Sequence, residues 1–344
     1  MNNNYFHRVN QLTPTRFWIN NVTVEEAHFA IQEGATGCTQ NPSYVWKMIE
    51  NESTKGKVDT LIKKYKQEGM DTDNIIVHVQ RDLVEEIARI FLPMYESSNG
   101  QYGFVSIQGN PFSEDKESII AAALFNCEPL PNIMAKLPVT KEGLEAIEYI
   151  SSKGIAINAT EVMALKQAID VCRAYERGIK GAKNMSPIYY SHITGILDEY
   201  FATYVKENGI DIDRDILYQA GMLVAKKCYH MTKSINKNVG FIGGGARGLH
   251  HFTEMVGADA CITINWKGTA DQLVAENPYI IDRFTMKESD LVIDQLYSKI
   301  PDFKKAYFTS EIDVDEYEDF GPVVLFRNSF EQAWKKACDY IESL

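Results

Sequence analysis

A chain of 344 residues, 45% hydrophobic and 24% charged, carries enough apolar surface for one large α/β domain or two smaller ones, which excludes disorder as its main state. The balance of 35 basic against 47 acidic residues, a net charge of −12, leaves no surplus for a polyanion, so no nucleic-acid partner is expected. No apolar run approaches the ~20 residues of a membrane-spanning helix, and residues 1–10 are polar rather than signal-like, which points to a cytoplasmic protein with no membrane partner.

Short β-rich runs recur at residues 16–20, 37–39, 104–108, 133–137, 156–160, 183–187, 239–243 and 260–264. Residues 75–80 alternate like a strand but run into the helical spacing of Leu83, Ile87 and Ile90, and are read as the start of a helix. Between the runs lie amphipathic stretches. In residues 141–153, Leu144, Ile147 and Ile150 share a face before a stop at Gly154; in residues 161–178, Val162, Leu165, Ile169 and Cys172 do the same. Residues 198–236 hold two further helices joined around Asn208-Gly209. Residues 276–322 are polar and read as irregular, before a last helix over 328–343. Eight strands each followed by a helix predict a (β/α)8 TIM barrel over residues 1–344, with a helical insertion at about 198–236 and an irregular C-terminal extension at about 276–344. A doubly wound open sheet would need fewer strands or a second domain.

The six cysteines, Cys38, Cys127, Cys172, Cys228, Cys261 and Cys338, form no CxxC pair, and no histidine is spaced to complete a zinc site. Reduced core thiols and no metal are expected. The informative segment is Asn132-Ile133-Met134-Ala135-Lys136-Leu137-Pro138, because it sets an ammonium group inside an apolar strand. In an all-parallel barrel both strand faces are covered, so Lys136 either points into the barrel mouth or snorkels from the strand end. A desolvated lysine loses its charge more readily, and the neutral amine attacks carbonyls. Asn158 and Thr160 are two apart at a strand's C-terminal end, where barrel active sites are built; satisfying loop backbone is the alternative role. Ser43, after Gly37-Cys38-Thr39-Gln40-Asn41-Pro42, is placed to cap a helix with its hydroxyl. Phe241-Ile242-Gly243-Gly244-Gly245-Ala246-Arg247-Gly248 joins a strand to a helix whose amides, with Arg247, suit an anion; its spacing is not that of a dinucleotide loop.

Taken in order, these segments resemble the transaldolase family, Schiff-base enzymes on a (β/α)8 barrel, from about Arg16 to the C-terminus. The turn Thr39-Gln40-Asn41-Pro42-Ser43 is similar to the family's threonine-asparagine-proline-serine turn. Residues 133–147 resemble the strand and helix that carry its Schiff-base lysine, and continue into Asn158-Ala159-Thr160. Ser186-Pro187 is similar to its next strand end, and Arg247 to an arginine on its phosphate side. The resemblance implies cleavage of a ketose through an iminium at Lys136 and transfer of a dihydroxyacetone unit to an aldehyde, as in the pentose phosphate pathway, with no cofactor. It implies that Thr160 holds a catalytic water and that Thr39, Asn41, Asn158, Ser186 and Arg247 contact a sugar or sugar phosphate. Self-association into a homodimer is left open.

Two departures qualify the likeness. Asn20 stands where the family has an aspartate on the first strand, and Gln108 where it has a glutamate on the third. An amide keeps the shape of a carboxylate but exchanges no proton near neutral pH. Replacement acids or bases are Tyr189, Tyr190, His192 or Glu161; strand alternation turns Glu161 away from Thr160 and ranks it last. The second phosphate-side arginine has no counterpart, and Gly245 stands where the family usually has serine. The rival reading is a sugar-binding or regulatory relative that keeps the barrel without turnover.

Overall fold

The computed structural model describes residues 4–182 and 184–344. Eight strands, β1 (Arg16–Asn20), β2 (Ala35–Thr39), β3 (Phe104–Gln108), β4 (Ile133–Pro138), β5 (Ile157–Val162), β6 (Ile188–His192), β7 (Val239–Gly243) and β8 (Cys261–Ile264), close in sequence order into a barrel. Every pairing is parallel, including the closing pair of β1 with β8. The fold is therefore the expected (β/α)8 barrel. Residues 75–80 lie in the helix Thr72–Ser97, as their continuation into a 3.6-residue repeat required.

Strand alternation sorts the core into two parts. Phe17, Ile19, Val105, Ile107, Ala135, Leu137, Ile157 and Ile262 face outward and join the apolar layer under the surrounding helices. Inside the barrel, the N-terminal half is a plug built on Trp18, Phe104, Met134 and Ala156, with Tyr189 packed against it. Two glycines make room for the plug. A Cβ on Gly37 would meet the Trp18 indole at 2.4 Å, and one on Gly240 would meet the Tyr189 ring at 2.3 Å.

The sixth strand corrects the sequence reading. Expected at 183–187, it runs over Ile188–His192; residues 184–187 are not in a strand, and Lys183 lies outside the described residues. Pro187 cannot donate to a central ladder, whereas Ile188-Tyr189-Tyr190 supplies the β-branched and aromatic side chains that a pleated core favours. The consequence is functional. Ser186 falls before the strand, at the N-terminal mouth of the barrel, and Ser191 takes the position at its C-terminal end.

The C-terminal extension is also more regular than expected. Helices Asp290–Lys299 and Pro301–Tyr307 precede a long helix, Gly321–Ser343, that starts seven residues earlier than the sequence reading placed it. Pro301 and Pro322 do not interrupt these helices, because both occupy first turns, where the missing N–H has no intrahelical role. Val292, Leu296, Phe303 and Tyr307 are buried from this segment.

Gly37→Ala is expected to cost about 1–3 kcal/mol by forcing Trp18 off its seat. Gly56→Ala, where a Cβ meets nothing within 4 Å in the helix Glu52–Gln67, should be neutral or gain up to about 1 kcal/mol. Urea unfolding of the two variants beside wild type checks both.

Candidate active site

Above the apolar plug, the strands' C-terminal halves turn polar side chains inward. A cavity of about 500 Å³ opens there, and its lining includes Asn20, Thr39, Asn41, Lys136, Ser191 and Arg247. The long C-terminal helix places Phe326, Ser329 and Phe330 on its wall.

Lys136 is the least expected occupant. It is 6% exposed, and its Nζ donates to the Gln40 carbonyl oxygen at 3.3 Å. Burial disfavours the ammonium form and pulls its pKa down to about 8, against partial support from the Glu161 carboxylate. The register sets Gln108 on β3 and Asn158 on β5 on either side of it. Asn158 is held at both ends: Nδ2 donates to Ser106 Oγ at 3.2 Å, and Oδ1 accepts from Ser191 Oγ at 2.7 Å. Thr160 Oγ1 is buried with no hydrogen-bond partner among the described residues.

On the opposite side, Thr39 Oγ1 bonds Asn20 Oδ1 at 2.9 Å and Thr263 Oγ1 at 2.8 Å, while Asn20 Nδ2 donates to Asn265 Oδ1 at 3.1 Å. These bonds fix the Asn20 amide as an acceptor toward Thr39 and a donor toward Asn265. Asn41 Oδ1 accepts from Asn21 Nδ2 at 3.0 Å and from the Ser43 hydroxyl at 2.5 Å, which leaves its amide nitrogen to offer to the cavity. The Ser43 hydroxyl thus bonds back to Asn41 and does not cap the helix Tyr44–Glu50, a correction to the sequence reading.

Arg247 is exposed at the rim. Its Nε donates to Glu199 Oε2 at 2.6 Å, and its backbone N–H donates to His251 Nδ1 at 3.2 Å. His251 Nε2 lies 2.9 Å from an Asp198 carboxylate oxygen. Asp198, His250 and His251 are grouped closely enough to hold a metal ion. In the tautomer whose Nδ1 accepts the Arg247 N–H, Nε2 carries the hydrogen and donates to Asp198, which braces the Arg247 turn. Lys47 and Lys267 are the other cations on the cavity lining. Gly245 has φ +66°, and a Cβ there would lie 2.6 Å from Ile193, so a side chain at this turn is opposed by both backbone and neighbour.

Two groups of sequence-level candidates separate here. Ser186 is buried below the barrel, where its carbonyl accepts from Tyr175 Oη, and it does not line the cavity. Tyr189 packs on Trp18 in the plug, Tyr190 bonds Thr232, and His192 stacks on Phe241 with its pKa pushed down to about 3 by burial. Glu161, ranked last, is the one that reaches a residue beside Lys136, namely Gln108. Its φ of +64° and the register shift of β5 against β6 between Ala159 and Val162 break the alternation, and its Oε1 accepts from Gln108 Nε2 at 2.8 Å. Ser106, Ser191 and Thr263 were also missed. Ser106 had a signal, since it lies two residues before Gln108 on the same strand face; Ser191 was hidden by the misplaced sixth strand.

The family model for transaldolase/fructose-6-phosphate aldolase matches residues 17–339. The chain belongs to the transaldolase/fructose-6-phosphate aldolase family. Proteins named transaldolase from Mycobacterium tuberculosis, Saccharopolyspora erythraea and Mycobacterium ulcerans are each 31% identical to it, over 154, 150 and 153 residues. These matches cover 44%, 43% and 44% of this chain and 40% of each relative, so the aligned part spans about two fifths of their length. In this member of the family a lysine on β4 lies inside the barrel mouth, and β1 and β3 end in the amides Asn20 and Gln108.

The drop in the Lys136 pKa from 10.5 to about 8 corresponds to roughly 3 kcal/mol of lost stability while the folded state holds the ammonium. Lys136→Met is therefore expected to stabilise the fold at pH 7. The gain should shrink between pH 8 and 10.5, where the wild-type folded state sheds its proton before the unfolded one does. Denaturant titrations of both proteins at pH 7, 9 and 10.5 check the sign.

Proposed function

We propose that this protein is a transaldolase-type enzyme that forms a Schiff base between Lys136 and the carbonyl of a ketose and transfers a dihydroxyacetone unit to an aldehyde. The observation that carries the reading is a buried lysine of lowered pKa at the wall of a sugar-sized polar cavity, in a chain of this family. The neutral amine attacks the ketose C2, water leaves, and the iminium draws in the electrons of the C3–C4 bond as that bond breaks. The C4 hydroxyl loses its proton, the aldehyde departs, and the remaining enamine waits for the acceptor. The lysine itself supplies the electron sink, so the cycle calls for no cofactor.

Asn158, clamped between Ser106 and Ser191, and Asn41, whose amide nitrogen has no hydrogen-bond partner among the described residues, suit the hydroxyls of the bound three-carbon unit. Holding that unit in place is what favours transfer to the acceptor over loss to solvent. Thr39 orients Asn20 rather than reaching substrate alone. Arg247 is engaged by Glu199, so a phosphorylated substrate would have to compete with that carboxylate for it or rely on Lys47 and Lys267. A sugar or sugar phosphate, fructose 6-phosphate included, is the substrate class. No helix among the described residues is long and apolar enough to cross a membrane.

The test is transfer of a three-carbon unit from a panel of ketoses, with and without phosphate, to a labelled aldehyde. Wild type should yield the new ketose, and Lys136→Met should lose at least about 10³-fold, as expected when a covalent catalyst is removed. Activity that survives Lys136→Met sinks the mechanism. Saturable binding without transfer for every ketose favours the sugar-binding reading, which the two amides Asn20 and Gln108 would then explain.

A further inference from the structure

The hydrogen bond from Gln108 on β3 to Glu161 on β5 has to pass over β4, the strand between them, and β4 carries Lys136. It brings a carboxylate that is 1% exposed to the Lys136 side of the barrel, and Glu161 Oε2 has no hydrogen-bond partner among the described residues. The backbone adopts an unfavourable conformation to achieve this, since φ +64° is uncommon for a residue other than glycine. Gln167 Nε2 donates to the Glu161 carbonyl at 3.2 Å and helps hold the bulge.

A small cavity of about 20 Å³ adjoins, its lining including Lys136, Gln108, Glu114 and Asn126. It has the size of one water and suitable partners for it: Gln108 Oε1 and Asn126 Oδ1 are both buried without a partner, and Lys136 is a donor. The charged groups acting on Glu161 are Lys136 from β4 and Arg327 from the helix Gly321–Ser343, both opposing the rise in its pKa that burial causes. Glu161 in turn acts on Glu114, which also feels Arg327, Glu318 and Glu331.

We propose that Glu161 is a catalytic residue of this site, moving protons between the Lys136 nitrogen and the departing carbonyl oxygen as the Schiff base forms and hydrolyses. The proposal rests on the Lys136 reading above. Through an intervening water, Glu161 takes one proton from the Lys136 ammonium; the freed amine bonds to C2, and its second proton passes to the oxygen to give the carbinolamine. Protonated Glu161 then donates to that hydroxyl, the C–O bond breaks, water leaves, and the nitrogen keeps one proton in the iminium. Ketone and ammonium are consumed, iminium and water are formed, and Glu161 ends as the carboxylate it began as. Gln108 is a positioning residue that aims the carboxylate.

Each round of formation and hydrolysis swaps the carbonyl oxygen with solvent, so exchange of dihydroxyacetone oxygen in 18O-water reads these steps without any C–C cleavage. Lys136→Met serves as the reference that lacks them. Glu161→Gln, checked for its unfolding transition, should exchange about 10²–10⁴-fold more slowly than wild type. The exchanged pair Gln108→Glu with Glu161→Gln, which returns a carboxylate from the neighbouring strand, should recover at least about tenfold of that loss. Formate should accelerate Glu161→Ala and leave wild type unchanged, an effect that a purely structural role would not produce. Exchange by Glu161→Gln within about threefold of wild type overturns the assignment while leaving Lys136 in place, and so does a slow variant that neither formate nor the exchanged pair restores. Wild-type exchange no faster than that of Lys136→Met overturns the Lys136 reading and this proposal with it.

Discussion

The interior of this barrel is organised by the need to bury one amine. An ammonium group carried into a parallel barrel loses most of its water, and the strands around Lys136 respond by placing hydrogen-bonding groups at its level and apolar rings below it. Trp18, Phe104, Met134 and Tyr189 fill the N-terminal half tightly enough to require glycine at 37 and 240, which leaves the C-terminal half as the open, polar end. The same burial that costs stability draws the pKa of Lys136 toward the physiological range, where a fraction of the amine is neutral. Under the proposed function, the burial that costs stability here is also what the reaction would use.

The polar and titratable groups are distributed differently from what the strand ends alone would suggest. Asn20 is locked between Thr39 and Asn265, and Gln108 points its nitrogen at Glu161, so both amides act as fixed dipoles that orient neighbours. The buried carboxylate of the arrangement comes from the bulge in β5. A bulge adds a residue to one strand and re-aims its side chains, and here it lets Glu161, directly after Thr160, reach Gln108 although a regular strand would send the two to opposite faces. The long C-terminal helix closes the remaining side with Phe326 and Phe330, and its Arg327 acts on the same carboxylate.

Much of this was legible in the sequence because barrel strands are repetitive in their demands. Apolar runs set seven strands in their places, and a lysine within one of them stood out against its neighbours. The failures have local causes. Pro187 marked the start of a strand rather than its end, so the sixth strand and its serine were assigned five residues early. Glu161 was ranked last by a rule of alternation that holds only where the backbone stays extended, and a left-handed residue has no signature in a stretch such as Asn158-Ala159-Thr160-Glu161-Val162. The helices of 290–307 were missed because surface charge dominates their composition while only Val292, Leu296, Phe303 and Tyr307 record the buried face.

The central claim is that the Lys136 amine bonds covalently to a ketose, and trapping that bond tests it most directly. Borohydride added to the protein in the presence of dihydroxyacetone or a ketose reduces an iminium to a stable secondary amine, and fragmentation of the digested protein locates the added mass. The account predicts a single modified residue, Lys136, with a mass set by the donor. An adduct on another lysine, or none on folded protein across phosphorylated and unphosphorylated donors, would contradict it.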